Sequence, residues 1–278
     1  MGRIPFTKMQ GIGNDYIYID VTERRLRSPG ALAKAMSDRH FGVGSDGLIL
    51  IARSRKADFR MRMFNSDGSE AQMCGNGIRC LAKYVFERGL TDKRTLTVET
   101  GRGVLTLELS GKGRTVDEVT VDMGEPILER AEIPMKGAPG KAIEEPLTVQ
   151  GRSIPVTCVS MGNPHCIQVV DDLDGAPVET VGRAIEHHPA FPERTNVEFV
   201  KRHSRRRVSI RTWERGAGET LACGTGACAV CVAGVLEGEA DRQIVADLLG
   251  GRLTIRWDAD TNHVYMTGPA EFVFDGQW

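Results

Sequence analysis

Alternation of apolar and polar positions dominates this chain. FRMRMF (59–64), TLTVE (95–99), VLTLEL (104–109), VTVDM (119–123), VSIRTW (208–213) and RLTIRW (252–257) alternate with a period of two or are rich in β-branched residues, which predicts strands. Few segments break that period. GALAKAMSDRH (30–40) and VETVGRAIEHH (178–188) have the spacing of surface helices, and His187-His188 suits the negative end of the second. NGIRCLAKYVFERG (76–89) and TGACAVCVAGVLEG (225–238) are apolar or small nearly all round, which predicts two central helices wrapped by sheet.

Both central helices begin after a cysteine followed by Gly-x-Gly, in AQMCGNGIRC (71–80) and TLACGTGACAVC (220–231). The two cysteines, Cys74 and Cys223, are 149 residues apart, and the same offset sets Gly13-Asn14 on Gly162-Asn163, Glu70 on Glu219, Gly75 on Gly224, Gly77 on Gly226, Gly89 on Gly238 and Gly101 on Gly250. With 32 glycines in the chain, single Gly matches mean little; the ungapped run that includes Asn, Glu and Cys points to an internal duplication. The predicted fold is therefore α/β, with two pseudo-symmetric domains from an internal duplication, each a mostly antiparallel sheet wrapped around a central helix. The Pro- and Gly-rich segment 124–146 is the natural divider. Residues 1–124 form the first half, completed by the C-terminal strand 268–278, and residues 125–267 form the second.

Composition narrows the class without changing that picture. At 278 residues, 41% hydrophobic and 26% charged, the chain has the make-up of a globular protein with a substantial core. A net charge of −1 gives no pull toward nucleic acid or membrane. The one basic run, KRHSRRR (201–207), lies between two strand patterns without interleaved aromatics, as a solvated hairpin would. The opening MGRIPFTKMQ lacks a signal-peptide core and has Phe6 where myristoylation needs Ser or Thr, so a cytoplasmic protein is expected. Seven cysteines, an odd number, then predict reduced thiols.

Glycines beside a helix start let a ligand approach the unpaired N–H groups, which form an anion site, and the same positive end lowers a thiol's pKa from about 8.5. Each Cys-Gly-x-Gly thus offers a carboxylate or phosphate cradle beside a poised thiol. A duplicated pair suits a reaction that removes a proton from one face of a carbon and delivers one to the other. Cys80, Cys158, Cys166, Cys228 and Cys231 read as core. Cys228-x-x-Cys231 lies inside an apolar helix with no second pair at zinc spacing, so no metal is expected; a zinc or thiol-redox protein would need that pair. GTGAC and GVGSDG match neither a P-loop nor a dinucleotide fingerprint. His165, in GNPHC, is open between a buried hydrogen-bonding role and tuning of a thiol.

GIGNDY (11–16), FNSDGSEAQMCGNGIRC (64–80), GNPH (162–165), TNVEF (195–199), WERGAGETLACGTGAC (213–228) and MTGPAEFVFDG (266–276), in this order, resemble the diaminopimelate epimerase family over essentially the whole chain. The resemblance implies a pyridoxal-independent isomerase with no cofactor, interconverting LL- and meso-diaminopimelate for lysine and peptidoglycan precursors, and a homodimer. It implies Cys74 and Cys223 as acid–base thiols. Gly75-Asn76 and Gly224-Thr225 would hold the reacting carboxylate, and Asn14, Asn65, Asn163, Asn196, Glu214 and Arg215 would contact substrate. His165 and Glu214 would tune the thiols. Some family members carry a Gln contact where this chain has Gly47, which leaves room for a related two-thiol racemase acting on proline, hydroxyproline or histidine.

Overall fold

The structure, a computed structural model, describes residues 3–278; residues 1 and 2, which begin both the predicted first half and the segment read for targeting signals, lie outside it. The chain divides into two compact units: one runs to Asp122 and takes up Thr267–Trp278, and the other is Met123–Met266.

In the first unit, β1 (Pro5–Gly11) and β2 (Asn14–Asp20) form a hairpin, after which helix α1 (Pro29–Ser37) leads to β3 (Gly47–Ala52), parallel to β2. Strand β4 (Phe59–Asn65) turns back antiparallel on β3 and pairs with the two-residue β5 (Glu70–Ala71). Helix α2 (Gly75–Glu87) follows, then β6 (Thr95–Thr100), parallel to β4, and the antiparallel β7 (Gly103–Ser110) and β8 (Glu118–Asp122).

The second unit repeats this order. After β9 (Glu145–Val149), β10 (Arg152–Ser160) and β11 (Pro164–Val169) are antiparallel. Strand β12 (Asn196–Ser204) is parallel to β11, and β13 (Arg207–Glu214) is antiparallel to β12. The short β14 (Gly218–Thr220) precedes a helix over Gly224–Leu236, and β15 (Gln243–Leu248) lies parallel to β13, with β16 (Gly251–Trp257) antiparallel beside it. Even the register recurs at the 149-residue offset: Tyr16 opposes Gly47 as His165 opposes Asn196, and Leu48 opposes Phe64 as Val197 opposes Trp213. An alignment of two halves that survives at the level of paired residues is structural evidence for duplication.

The chain then crosses back through β17 (Val264–Gly268) to β18 (Glu271–Gln277), antiparallel to β1. Gly276 is required at that crossing, because a Cβ there would come within 2.4 Å of the Phe6 ring.

Both central helices are buried on nearly every side. In α2, Ile78, Leu81, Ala82 and Val85 are fully enclosed, and the helix packs on β1, β2, β7 and β8. Its charges are kept by local partners: Arg79 donates to the carbonyls of Gly75 and Pro269, while Lys83 donates to the Val116 carbonyl and pairs with Glu87 at 3.0 Å. The Gly224–Leu236 helix is apolar throughout and packs on β10, β11, β12, β15 and β16.

Two helix boundaries differ from the sequence pattern. The predicted 30–40 helix ends at Ser37, because the Asp38 carboxylate accepts the N–H groups of His40 and Phe41, both at 2.8 Å, and turns the chain. The predicted 178–188 helix is a π-helical turn, Val178–Gly182, followed by a short helix α3 (Arg183–Glu186). Gly182 packs on Trp213, where an added Cβ would come within 2.8 Å of the Trp213 Cβ and 2.9 Å of the indole Cγ. The Gly224–Leu236 helix is α4.

If the α2 interface carries the stability of its unit, Leu81→Ala lowers unfolding free energy by about 2–5 kcal/mol. Leu90→Ala, at a residue 38% exposed just past the helix, stays within about 0.5 kcal/mol of the parent. Urea midpoints at constant m-value check both, and equal losses would contradict the assignment of the core.

Candidate active site

In each unit a cysteine is the N-cap of the central helix, and its sulfur accepts the N–H of the glycine three residues on. Cys74 has extended φ/ψ of −135°/120° and Cys223 −113°/107°, so each side chain folds over the first turn. The Gly77 and Gly226 N–H groups reach their sulfurs at 3.3 Å in both cases. A side chain at either glycine would have to displace a neighbour. A Cβ on Gly77 would lie 2.6 Å from Ile49 Cδ1, and one on Gly226 would lie 2.5 Å from Glu198 Oε1 and 3.2 Å from the Cys223 sulfur.

Around Cys74 the polar groups are mostly neutral. Its Sγ donates to Asn14 Oδ1 at 3.2 Å. That amide is held in one orientation, since Asn14 Nδ2 donates to Asp46 Oδ2 at 2.7 Å. Asp46 is in turn fixed by Arg39, which also pairs with Asp15 at 2.9 Å, and Lys8 pairs with Asp15 at 2.7 Å. The Asn76 side chain lies at the same oxygen, 3.5 Å from Asn14 Oδ1, and Tyr18 donates to the Gly77 carbonyl at 2.9 Å. Tyr16 stands close by; burial first, then the nearby Cys74 charge, hold its phenol well above the ordinary range. Asn65, at the end of β4, donates to Ser69 Oγ at 3.0 Å. Gly47 has no room for a side chain: a Cβ there would sit 2.2 Å from the Phe64 carbonyl oxygen.

Around Cys223 the surroundings are acidic. Burial first, then the charges of Glu214 and Glu198, push its thiol well above the usual range, against opposing hydrogen bonds from Thr225 and the Gly226 N–H. Thr225 Oγ1 is 3.5 Å from the sulfur and receives Asn163 Nδ2 at 3.2 Å. His165 Nδ1 and Glu198 Oε1 are 2.7 Å apart, both side chains fully enclosed. One ligand atom each from His165, Glu198 and Cys223 lie within 4.8 Å of one another, the single such set among the described residues. These are also donor types that zinc accepts. Cys228 and Cys231 are no part of it; they are buried in α4, with burial pushing the Cys231 thiol up to about 12. Burial likewise pushes Cys80 to about 11, and Cys166 is raised by its hydrogen bond with Cys158, its partner across β10 and β11.

Asn196 is a clamp as well as a candidate contact. Its Nδ2 donates to the Pro164 carbonyl at 2.8 Å and its Oδ1 accepts the Arg215 N–H at 2.9 Å. Arg215 is exposed, with Nη1 on the Glu193 carbonyl, and Thr220 donates to Glu214 Oε1. Buried Glu186, unremarked in the sequence, shapes this turn by accepting Trp213 Nε1 at 2.7 Å and the Gly216 N–H at 3.0 Å. Asp46, Glu198 and Tyr16 were equally silent in the sequence; only the 149-residue offset, carried beyond the glycines, pairs Tyr16 with His165 and Ile49 with Glu198. The basic run 201–207 is a hairpin in which Arg205 and Arg206 pair with Asp241 and Arg207 with Asp247.

Comparison with known proteins places these features. The family model described as diaminopimelate epimerase matches residues 6–129 and 157–273. A diaminopimelate epimerase of Acetivibrio thermocellus is 55% identical over 272 residues, covering 98% of this chain and 97% of that protein. One of Methanococcus maripaludis strain S2 is 53% identical over 272 residues, covering 98% of each. Among solved structures, a phenazine biosynthesis protein of the PhzF family from Bacillus anthracis has a TM-score of 0.72 at 18% identity, over 100% of this chain and 99% of that one. A hydroxyproline epimerase from Agrobacterium vitis has a TM-score of 0.67 at 14% identity, over 99% and 91%. The last two share the fold.

The two thiols differ in access and in the groups around them, so they label differently. With iodoacetamide near pH 8, half-buried Cys74 is alkylated first, and Cys223, 5% exposed and held protonated, reacts appreciably only as pH rises further. Peptide mass spectrometry over a pH series reads the order; faster labelling of Cys223 at pH 8 would contradict it.

Proposed function

Since this chain belongs to the diaminopimelate epimerase family, we propose that Cys74 and Cys223 are the two acid–base groups with which it interconverts LL- and meso-diaminopimelate without a cofactor. The observation that carries the assignment is the repeated cap: a sulfur folded over a helix N-terminus, once in each half.

The chemistry follows from what such a pair can do. The α-hydrogen of an amino acid is a weak acid, and its removal leaves charge that spreads into the adjacent carboxylate. Backbone N–H groups at Gly75-Asn76 and Gly224-Thr225 would hold that carboxylate where the charge develops, with no reorganisation at the moment of transfer. One thiolate takes the hydrogen from one face of the carbon; the thiol of the other cysteine delivers its own hydrogen to the opposite face. The C–H bond broken and the C–H bond made involve different sulfurs, and the sulfurs end with their protonation exchanged. Solvent resets them between turnovers.

Asn14, Asn65, Asn163 and Asn196 supply amide groups that orient substrate ammonium and carboxylate groups, Glu214 suits an ammonium, and Arg215 suits a second carboxylate through its planar fork. The exposure of Arg215 fits a residue whose partner arrives with the ligand. His165 and Glu214 set the protonation of the sulfurs. A racemase of proline, hydroxyproline or histidine would share the thiols, but relatives more than half identical over nearly the whole chain carry the diaminopimelate epimerase name.

The same proposal places the enzyme in the cytoplasm as a homodimer. Among the described residues, no helix is long and apolar enough to cross a membrane. Val273, 54% exposed, and Phe274, 47% exposed, offer apolar surface on β18 that suits a second copy.

Incubation with LL-diaminopimelate, followed by chiral separation, yields the meso isomer with the parent protein. Cys74→Ala and Cys223→Ala each abolish conversion, because inversion needs a group on both faces. Cys228→Ala, a core change of a few atoms, retains it. A folded Cys228→Ala as inactive as Cys223→Ala would refute the two-thiol assignment.

A further inference from the structure

The duplicated asparagines Asn14 and Asn163 are turned opposite ways at their helix caps. In the second half, Asn163 presents its Nδ2 to Thr225 Oγ1 at 3.2 Å. In the first half, Asn14 presents its Oδ1 instead, 3.2 Å from the Cys74 sulfur and 3.5 Å from Asn76 Nδ2. Asn76 is the counterpart of Thr225 at the 149-residue offset, so the same place in the cap meets the amide by its other end. The cause lies behind the amide. Asp46 Oδ2 accepts Asn14 Nδ2 at 2.7 Å and the Asp15 N–H at 3.1 Å. The residue matching Asp46 in the second half is Thr195, whose hydroxyl donates to the Asn196 carbonyl.

A carboxylate only accepts, so an amide beside it must offer its NH2. Reversing Asn14 would set two acceptor oxygens at the present 2.7 Å separation. The carboxylate is itself anchored: Arg39 Nη2 lies 2.9 Å from both Asp46 Oδ1 and Asp15 Oδ1, and Lys8 Nζ lies 2.7 Å from Asp15. Neither acid nor arginine recurs, since the offset sets Pro164 opposite Asp15 and His188 opposite Arg39. At or beside Cys74 stand Asn14, Tyr16 and Tyr18 from β2, Asp46 from the loop before β3, and Asn76, the Gly77 N–H and Cys80 from α2. The Gly77 N–H and the helix end favour a thiolate. An amide oxygen fixed toward the sulfur opposes it, because it takes a bond from S–H and repels an anion.

We propose that Asp46 is a positioning residue for the first thiol: by accepting from Asn14 Nδ2 it turns the Asn14 oxygen to Cys74, and so holds that sulfur protonated in the substrate-free protein. Arg39, Asp15 and Lys8 act one step further out, by keeping the carboxylate in place. The role in turnover, as a sulfur that enters bearing a hydrogen to deliver, rests on the epimerase reading; the state of the resting site does not.

The test is the pH dependence of Cys74 alkylation by iodoacetamide in the substrate-free protein, read by peptide mass spectrometry. Asp46→Asn keeps the size and supplies a donor, so the Asn14 amide is free to turn its NH2 to the sulfur. The Cys74 rate near pH 7 should then rise on the order of tenfold, with Cys223 labelling unmoved. Removing a negative charge could do the same through space, so the change is repeated in an Asn14→Ala background, where the Cys74 rate should stay within about twofold. An unchanged rate in Asp46→Asn overturns the proposal, and so does an equal rise in both backgrounds. If Asp46→Asn does not fold, infrared spectroscopy of the unaltered protein decides. The S–H stretch lost in Cys74→Ala should be present at neutral pH and lie to the low-frequency side of a free thiol; a missing or unshifted band overturns the proposal. Absence of epimerase activity would count against the function and leave these readouts intact.

Discussion

A sulfur that caps a helix is the interaction on which the rest depends. Each thiol accepts the N–H of a glycine at the third position of the helix it begins, at 3.3 Å. That bond places the sulfur against the positive end of the helix. It favours glycine at the accepting turn, because a Cβ there would have to displace Ile49 in one half and Glu198 in the other. It also demands that the helix be buried and immobile, which the enclosing strands and the all-round apolar surface of α4 provide. Sheet, helix, glycine and thiol are thus one requirement seen at four scales.

Duplication supplies two such caps, but the halves have diverged in how each sulfur is surrounded. At Cys74 an amide oxygen, locked by Asp46, receives the thiol; at Cys223 two carboxylates and an imidazole surround it. An inverting catalyst must have one sulfur protonated and the other not at the start of each turnover. The surroundings of the two sulfurs are unequal, whereas the preserved register of β2–β3 and β11–β12 shows how little the backbones differ in pairing.

Much of this was legible in the sequence. Period-two alternation located β4, β6, β7, β8, β13 and β16, because those strands have one face covered and one more open. The Cys-Gly-x-Gly phrases located both helix starts, since few residues other than glycine meet the steric demand there. What stayed hidden was set by tertiary contact. Glu198 lies in NVEFV, where Val197, Phe199 and Val200 are buried as well, so no alternation marks which face an acid would occupy. Asp46 orients Asn14 through a side-chain bond across 32 residues of sequence, which no periodicity encodes. The π-helical turn at Val178–Gly182 ends on Gly182 packed against Trp213, a neighbour to which a helical-wheel pattern is blind. Gly47 read as a lost contact, whereas the Phe64 carbonyl leaves no room for any side chain there.

The central claim is that two independent thiols exchange one hydrogen for another at a single carbon. Brief turnover of LL-diaminopimelate in heavy water, with mass spectrometry of the first product formed, measures it directly. Two thiols that equilibrate with solvent while the site is open give product carrying deuterium at the inverted carbon, while unreacted substrate stays largely protiated. A single base that moves between faces would return much of the original hydrogen, and substantial protium in the first product would contradict the roles assigned here to Cys74 and Cys223.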